Sequence, residues 1–277
     1  MRARRHAVAL IALLVAGAGA AWGCGGEKQA ADVVDPVAQA AARTERSGNM
    51  RFTLHGTVTA AGQHAPVSGG GTMSARGDRG RMTIRFRAGG RSLQLQEILD
   101  RRVVYLGGGV LARRLPQGKR WVRIDLGRLA DRQGIDLSQL DGGASSATRQ
   151  LQYLKSAGHV KKVGAETIDG TRTTHYRASV DLAKLAAKAG DPGLKRSVRS
   201  LRRATGTDTI PVDVWIDGAK RVRRERLRYQ IAAAGQQGGV DLTIDFVRFG
   251  VPLSVQPPPR ATVFDATDLA ARLGQGG

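Results

Sequence analysis

Apolar and polar residues alternate along much of this chain, and this period of two limits its fold more than any other feature. The clearest run is Val240, Leu242, Ile244 and Phe246, which alternate with acidic and hydroxyl residues. Strict alternation over four to eight residues is typical of an antiparallel strand with one buried face. Similar runs occupy residues 50–58, 82–86, 93–95, 122–126, 212–216 and 227–231.

The pattern predicts an α+β protein with about ten antiparallel strands and a few short helices. Two short strands are predicted at residues 160–163 and 166–168, and the dipeptides Asp169-Gly170 and Asp217-Gly218 favour hairpin turns. Helical spacing or start signals occur at residues 33–46, 136–157, 181–189, 191–203 and 265–273. These helices are too few to cover the apolar face of a sheet of this size. The sheet is therefore expected to curl, and its interior is either filled by side chains or left as a cavity.

The first 23 residues predict an export signal. Arg2, Arg4 and Arg5 precede an apolar run at 7–21 that is shorter than the roughly 20 residues a bilayer span needs. Removing residues 1–23 takes away three arginines and no acidic residue, so the net charge falls from +21 to +18. Residues 24–31 are expected to form a tether, and 32–277 a single domain.

Cys24 is the one cysteine of the chain, which excludes an intramolecular disulfide and a cysteine-based zinc site. The stretch from Ala21 to Cys24 resembles a bacterial lipobox, in which the cysteine is lipidated and becomes the first mature residue. Ala21 replaces the usual leucine, and Trp22 is bulky for its position. Cleavage after residues 18–20 and an uncleaved anchor are the alternatives. A lipobox agrees best with a lone thiol in an oxidising compartment.

The order of these segments resembles the LolA/LolB-like superfamily, and most of all the LppX/LprG-type lipoproteins of actinobacteria. The resemblance implies a strongly curved, half-open antiparallel sheet with helices against its concave face, around an apolar cavity for acyl chains. It also implies export and anchoring to the outer face of the cytoplasmic membrane, with no universal catalytic residue. It covers about residues 32–269 and depends on residues 51–56, 103–105, 121–126, 164–170, 174–176, 211–217, 245–246 and 257–258.

The apolar faces of the strands supply the candidate cavity lining. A filled core of the same residues is the alternative; the scarce helical cover and the low aromatic content, 4%, favour a cavity. The candidates are Phe52, Leu54, Val58, Met82, Ile84, Phe86, Leu93, Leu95, Val122, Ile124, Val214, Ile216, Leu227, Tyr229, Leu242, Ile244 and Phe246.

Basic residues form the second candidate site. A positive face suits an anionic membrane surface or lipid headgroups, at about 1 kcal/mol per basic residue; a solvated arginine-rich surface is the equal alternative. The export signal and the lack of interleaved aromatics argue against nucleic acid. The face consists of Arg221, Arg223, Arg224, Arg226 and Arg228, and Arg81, Arg85 and Arg87 show the same alternation.

Signals for an enzyme are weak, and no catalytic residue, cofactor or metal is predicted. The glycine runs 69–71 and 107–109 lack the Lys-Ser/Thr of a phosphate loop and precede no predicted helix. His175 is either half of a catalytic pair or, more simply, a hydrogen-bonded strand histidine. Four aspartates are expected to face arginines, with a cation site as the alternative: Asp213, Asp217, Asp241 and Asp245.

These observations predict a monomeric, membrane-anchored lipoprotein that carries or presents a lipid, a lipoglycan or a lipidated partner. A membrane transporter is a further candidate partner. The alternative is an envelope sensor or interaction lipoprotein that docks on anionic surfaces through its basic face. A hydrolase would need a clustered nucleophile and base, which the linear sequence does not display.

Overall fold

The computed structural model describes residues 35–60, 63–88, 90–132, 154, 157–188, 198–199, 202–203, 205–233 and 236–275. The predicted signal peptide, the tether and Cys24 lie outside these residues. So does nearly all of the helices predicted at 136–157 and 191–203. No helix within the described ranges is long and apolar enough to cross a bilayer.

Twelve strands make up most of the described chain. They are β1 (Met50–Ala60), β2 (Gln63–Met73), β3 (Arg79–Ala88), β4 (Arg91–Asp100), β5 (Val103–Gly107), β6 (Trp121–Asp125), β7 (Ala157–Ile168), β8 (Thr171–Asp181), β9 (Thr209–Asp217), β10 (Val222–Ala233), β11 (Gln236–Phe249) and β12 (Val263–Asp265). The helices of the same part of the chain are α1 (Pro36–Glu45), α2 (Gly109–Ala112), α3 (Leu126–Arg132), α4 (Leu182–Lys188) and α5 (Thr267–Gln275), with a 3₁₀ turn at Arg260–Thr262.

The strands hydrogen-bond in the order β12-β6-β5-β4-β3-β2-β1-β11-β10-β9-β8-β7. This open, largely antiparallel sheet with a few helices confirms the predicted α+β class. Twelve strands replace the expected ten or so. β12 pairs with β6 in parallel, a departure from the predicted antiparallel pattern. Three residues are too few for alternation to predict that strand. The predicted curvature and the cavity stay predictions.

The residues divide into two compact units that interleave along the chain. The first unit combines the described residues within 35–44, 56–65 and 154–244, and the second combines those within 45–55, 66–132 and 245–275. β1 and β11 each contribute residues to both units. The expectation of one domain stays a prediction, and each unit is described below by itself.

The first unit contains α1, α4 and the strands β7 to β10. Asp35 caps α1, because its Oδ1 accepts hydrogen bonds from the backbone N–H groups of Val37 and Ala38. Near the end of α1, the Thr44 hydroxyl donates to the Ala40 carbonyl and accepts from the Val222 N–H. This pair of bonds joins the helix to the first residue of β10.

Turn chemistry holds the β7–β8 hairpin in register. Asp169 and Gly170 both adopt positive φ, 45° and 74°, as the predicted two-residue turn requires. The β9–β10 hairpin is also confirmed, but its positive φ falls on Lys220 rather than Gly218. The two strands predicted at 160–163 and 166–168 are wrong, because β7 is one strand whose register shifts twice before Gly164. Those irregularities interrupt the alternation.

The second unit contains the strands β2 to β6 and β12, with α2, α3 and α5. Glycines in β2 allow close approach of β3: a β-carbon on Gly71 would lie 2.1 Å from the Arg81 carbonyl oxygen. The glycine run 107–109 leads into α2, which begins at Gly109. The expectation that this run opens no helix is therefore wrong. Arg123 of β6 holds β12 by donating to Asp265, and Asp265 also accepts from the N–H and the hydroxyl of Thr267.

Candidate functional site

The register of the second unit places a set of apolar side chains on one face. Directly opposed residues share a face, and Ile84 opposes both Gly69 and Leu95, while Phe86 opposes both Val67 and Leu93. Leu106 and Val122 continue the same face on β5 and β6. The sequence therefore builds one apolar face from five consecutive strands, which we call the β2–β6 apolar face (Val67, Met82, Ile84, Phe86, Leu93, Leu95, Leu106 and Val122).

Most of this face is only half-buried. Met82 is buried, whereas Ile84, Phe86, Leu93, Leu95 and Val122 keep some contact with solvent. A filled core would remove such side chains from water almost completely. The β2–β6 apolar face is thus a part of the described chain where five predicted lining residues remain accessible to an apolar ligand.

The corresponding face of the first unit is closed along β9. Val212 and Val214 of β9 are almost completely buried, and they oppose Leu227 and Glu225 of β10. Tyr176 and Ala178 of β8 continue this face on the other side of β9. Burial of both its faces makes β9 the central strand of this unit, although alternation predicts one polar, solvated side.

Glu225 interrupts the apolar face of the first unit. Its side chain is 1% exposed, and neither carboxylate oxygen has a hydrogen-bond partner in the described part of the chain. Burial raises the pKa of Glu225 to about 8, so the neutral acid predominates at pH 7. The sequence analysis missed this residue. The available signal was its spacing, because Glu225 falls in phase with Leu227 and Tyr229.

Glu97 occupies a similar position in the second unit. It opposes Met82 on β3 and Leu106 on β5, and its side chain is buried. Glu97 follows Leu93 and Leu95 at a spacing of two residues, and this spacing was the signal in the sequence that it shares their face. Each unit therefore carries one buried glutamate on a face that is otherwise mainly apolar.

The opposite face of β8 and β9 holds a network of polar side chains. The two ring nitrogens of His175 lie 2.9 Å from Glu166 Oε1 and 2.9 Å from Asp213 Oδ1. The His175 ring stacks on Trp215 with centroids 4.2 Å apart, and the Trp215 indole N–H donates to Glu166 Oε2. His175 is therefore a buried strand histidine with both nitrogens hydrogen-bonded, as the simpler prediction had it.

Arginines surround this network, and we call the five on and just before β10 the β10 arginine cluster (Arg221, Arg223, Arg224, Arg226 and Arg228). Arg221 and Arg223 both donate to Asp217. Arg226 makes two hydrogen bonds to Asp241, at 2.8 and 2.7 Å.

The remaining two members of the cluster meet Asp213 and Trp215. Arg228 donates to Asp213 Oδ2, while Arg224 lies over the Trp215 ring at 5.9 Å. Burial alone would raise the pKa of Asp213, but hydrogen bonds from His175 and Arg177 outweigh it and lower the pKa. Arginine pairing similarly lowers the pKa of Asp217.

Aspartates therefore balance much of the charge of the β10 arginine cluster. Asp213, Asp217 and Asp241 each bind arginine, as expected for strand carboxylates, although the first two are buried. Asp245 instead lies 3.8 Å from His55. The described residues contain no group of three or more histidine, cysteine or acidic side chains arranged to hold a metal ion.

Three arginines of β3 show the opposite situation, and we call them the β3 arginine ladder (Arg81, Arg85 and Arg87). All three are exposed, and none forms an ion pair within the described chain. Their directly opposed neighbours on β2 and β4 are Thr72, Ser68, Ile98, Gln94 and Ser92, without a carboxylate.

The structure divides the predicted lining residues by burial. Buried are Phe52, Leu54, Met82, Val214, Ile216, Ile244 and Phe246. Half-buried are Val58, Ile84, Phe86, Leu93, Leu95, Val122, Ile124, Leu227, Tyr229 and Leu242. Within the first unit these side chains belong to the closed face or its continuation on β1 and β11, and Cys24 lies outside the described residues. Their role in a cavity stays a prediction.

Comparison with known proteins gives similarities in sequence and in fold. No family model matches the chain. Over 212 residues it is 26% identical to an uncharacterized 31.2 kDa protein of Streptomyces griseus, encoded in the rplA-rplJ intergenic region. That match covers 75% of this chain and 64% of the relative, so the chain spans less than two thirds of the relative's length.

Two solved structures similar to this chain are mycobacterial. LprF from Mycobacterium bovis matches with 14% identity and a TM-score of 0.41, over 80% of this chain and 95% of that one. The lipoprotein LppX from Mycobacterium tuberculosis matches with 14% identity and a TM-score of 0.39, over 80% and 100%.

Proposed function

We propose that this protein is a membrane-anchored lipoprotein of the cell envelope that binds the acyl chains of another molecule. It carries or presents that molecule, which is a lipid, a lipoglycan or a lipidated partner. The single observation that carries the proposal is the β2–β6 apolar face, where five strands present half-buried aliphatic and aromatic side chains. An acyl chain laid on such a face would remove both surfaces from water.

The energy available from this contact is large enough for stable binding. Burying one methylene is worth about 0.8 kcal/mol, so a 16-carbon chain offers roughly 12 kcal/mol before ordering costs. Part of this is lost in immobilising the chain and the protein, as in any association. No catalytic group is needed, because the hydrophobic effect supplies the driving force.

The proposed anchor supports a function at the membrane. Lipidation of Cys24 would add acyl chains at the mature N-terminus, and two chains hold a protein where one binds only marginally. The predicted tether, residues 24–31, would then separate the anchor from α1. The half-exposed apolar face and the predicted anchor together favour a protein that exchanges lipid with a bilayer or with another envelope component.

Native mass spectrometry of the protein purified from its own host tests lipid binding. We expect a co-purified amphiphile whose mass adds to that of the chain. Leu95→Trp places a large ring at a half-buried position of β4 on the β2–β6 apolar face and is expected to lower the loaded fraction several-fold. Gln94→Trp adds the same bulk at an exposed position of the same strand, on its opposite face, and should leave loading unchanged.

Two results would contradict lipid binding. One is a chain that carries no amphiphile from its host and takes up none from added lipid. The other is equal loss of loading in both tryptophan variants, which would indicate damage to β4 rather than an occupied binding face. Circular dichroism of each variant separates loss of binding from loss of fold.

A further inference from the structure

The β3 arginine ladder lies on a polar face of the second unit that contains few carboxylates. Arg85 has Ser68 on one side and Gln94 on the other, and Arg81 has Thr72 and Ile98. Arg87 opposes Ser92. With a rise of about 3.3 Å per residue, the ladder extends over roughly 20 Å of the strand. Each guanidinium is exposed and surrounded by neutral groups.

The nearest acids on this face are already engaged. Asp100 binds Arg79, which precedes the ladder at the start of β3. Asp245 is buried and lies 3.8 Å from His55 on β1. A β-carbon on Gly70 would lie 3.5 Å from the Thr53 side chain, so β1 presents Arg51 and Thr53 to the same face. Arg51 is exposed and adds a further positive charge beside β2.

We propose that the β3 arginine ladder is a docking surface for an anionic phospholipid bilayer. Guanidinium groups bind phosphate oxygens in pairs, and the neighbouring serine, threonine and glutamine side chains can donate further hydrogen bonds. An extended strand matches a planar array of phosphates better than a pocket would. The partner is therefore the headgroup layer of a membrane.

The composition of the face favours a bilayer over a polymer. Unpaired nucleic-acid bases are usually held on aromatic platforms. From Ser68 of β2 across β3 and β4, the paired side chains of this face include no aromatic ring, and Tyr105 of β5 is the first ring beyond them. The paired side chains are Ser68, Thr72, Arg79, Arg81, Thr83, Arg85, Arg87, Ser92, Gln94, Gln96, Ile98 and Asp100. The main chemical property of this face is therefore a positive charge that complements phosphate.

A vesicle-binding experiment with the full-length chain tests this docking surface. Vesicles of phosphatidylcholine alone are compared with vesicles that also contain phosphatidylglycerol. Each basic residue near an anionic surface is worth about 1 kcal/mol, or about a fivefold change in affinity. The triple variant Arg81→Gln, Arg85→Gln, Arg87→Gln is therefore expected to bind the anionic vesicles about a hundredfold more weakly.

A matched control removes the same charge elsewhere in the second unit. Arg113, Arg114 and Arg120 are exposed and form no ion pair within the described residues. Substituting all three by glutamine lowers the net charge equally and should weaken vesicle binding far less than the ladder variant. Replacing the ladder by lysines keeps the charge and should retain most of the affinity, losing only the paired hydrogen bonds.

The outcomes are distinct. Equal losses in the ladder and control variants would mean that net charge alone drives adsorption, and would overturn the assignment. Unchanged binding in the ladder variant would overturn it too. So would a wild-type chain that binds soluble polyphosphate but not anionic vesicles. Lipid loading of the ladder variant, measured by native mass spectrometry, is expected to be normal, which keeps this test independent of acyl-chain binding.

Discussion

The β10 arginine cluster and the β3 arginine ladder look alike in sequence and differ in structure. In both, arginines alternate with apolar residues along a strand. In the cluster, four of the five arginines bind Asp213, Asp217 or Asp241. In the ladder, the directly opposed side chains are neutral. Alternation therefore predicts where an arginine points, whereas the neighbouring strands decide whether its charge is available.

The same rule explains the two kinds of buried carboxylate in the first unit. Asp213 contacts His175, Arg177 and Arg228; burial would raise its pKa, but hydrogen bonds from His175 and Arg177 lower it. Glu225 lies one strand away among valines and leucine, and burial raises its pKa. Both are acids on central strands. The different side chains beside them give opposite shifts.

The largest effect is expected from pH at Glu225, the carboxylate that lacks a cation. Its pKa is about 8 in the folded chain, against 4.5 as the ordinary value. Folding therefore favours the protonated form, and stability falls by about 1.4 kcal/mol per pH unit as pH rises from 4.5 to 8. The total loss approaches roughly 4–5 kcal/mol. Urea unfolding across this pH range measures it.

Glu225→Gln serves as the control for that pH dependence. The variant keeps the shape of the side chain but cannot ionise, so its stability should lack the downward slope between pH 5 and 8. A wild-type profile that is flat over this range would show that Glu225 has a partner after all. Glu225 would then no longer differ from Asp213 in lacking a partner for its carboxylate.

The second effect is expected from Asp213→Asn, which removes the charge of a buried carboxylate that His175, Arg177 and Arg228 all contact. His175 would remain buried with one of its two carboxylates missing. We expect about 2–3 kcal/mol of lost stability at pH 7 in urea unfolding. Because the folded pKa of Asp213 is lowered, its contribution is present above about pH 4 and disappears as pH falls further. The variant should therefore approach wild-type stability in acid.

Arg85→Gln is the matched substitution in the ladder. It removes an exposed charge without a carboxylate partner, so its stability should lie within about 0.5 kcal/mol of the wild type. A loss as large as that of Asp213→Asn would show that the ladder has a structural partner. The contrast between the two arginine faces would then be wrong.

The smallest effect is expected from the Arg226–Asp241 pair, whose side chains are about 40% exposed. A double-mutant cycle with Arg226→Gln and Asp241→Asn should give a coupling of about 0.5–1 kcal/mol, because solvent screens the pair. Added salt should reduce that coupling. A coupling that salt does not change would indicate a more buried pair than the exposures show.

Local patterns predicted most of the fold. The alternating runs locate seven of the twelve described strands, and Asp169-Gly170 predicts its hairpin because few other residues tolerate two positive φ angles. β7 was divided wrongly because its irregular pairing breaks the period. Glu225 and Glu97 were missed although their phase was visible, since a polar residue at an apolar position is normally taken as the end of a strand.

Which side chains share a face follows from local sequence, because the period of two is a property of the extended backbone. The class of fold follows as well, from the number and length of those runs. Which charges are neutralised, and which apolar residues keep contact with water, depends instead on the packing of the folded chain. Those properties depend on strands that lie far apart in the chain and meet through register.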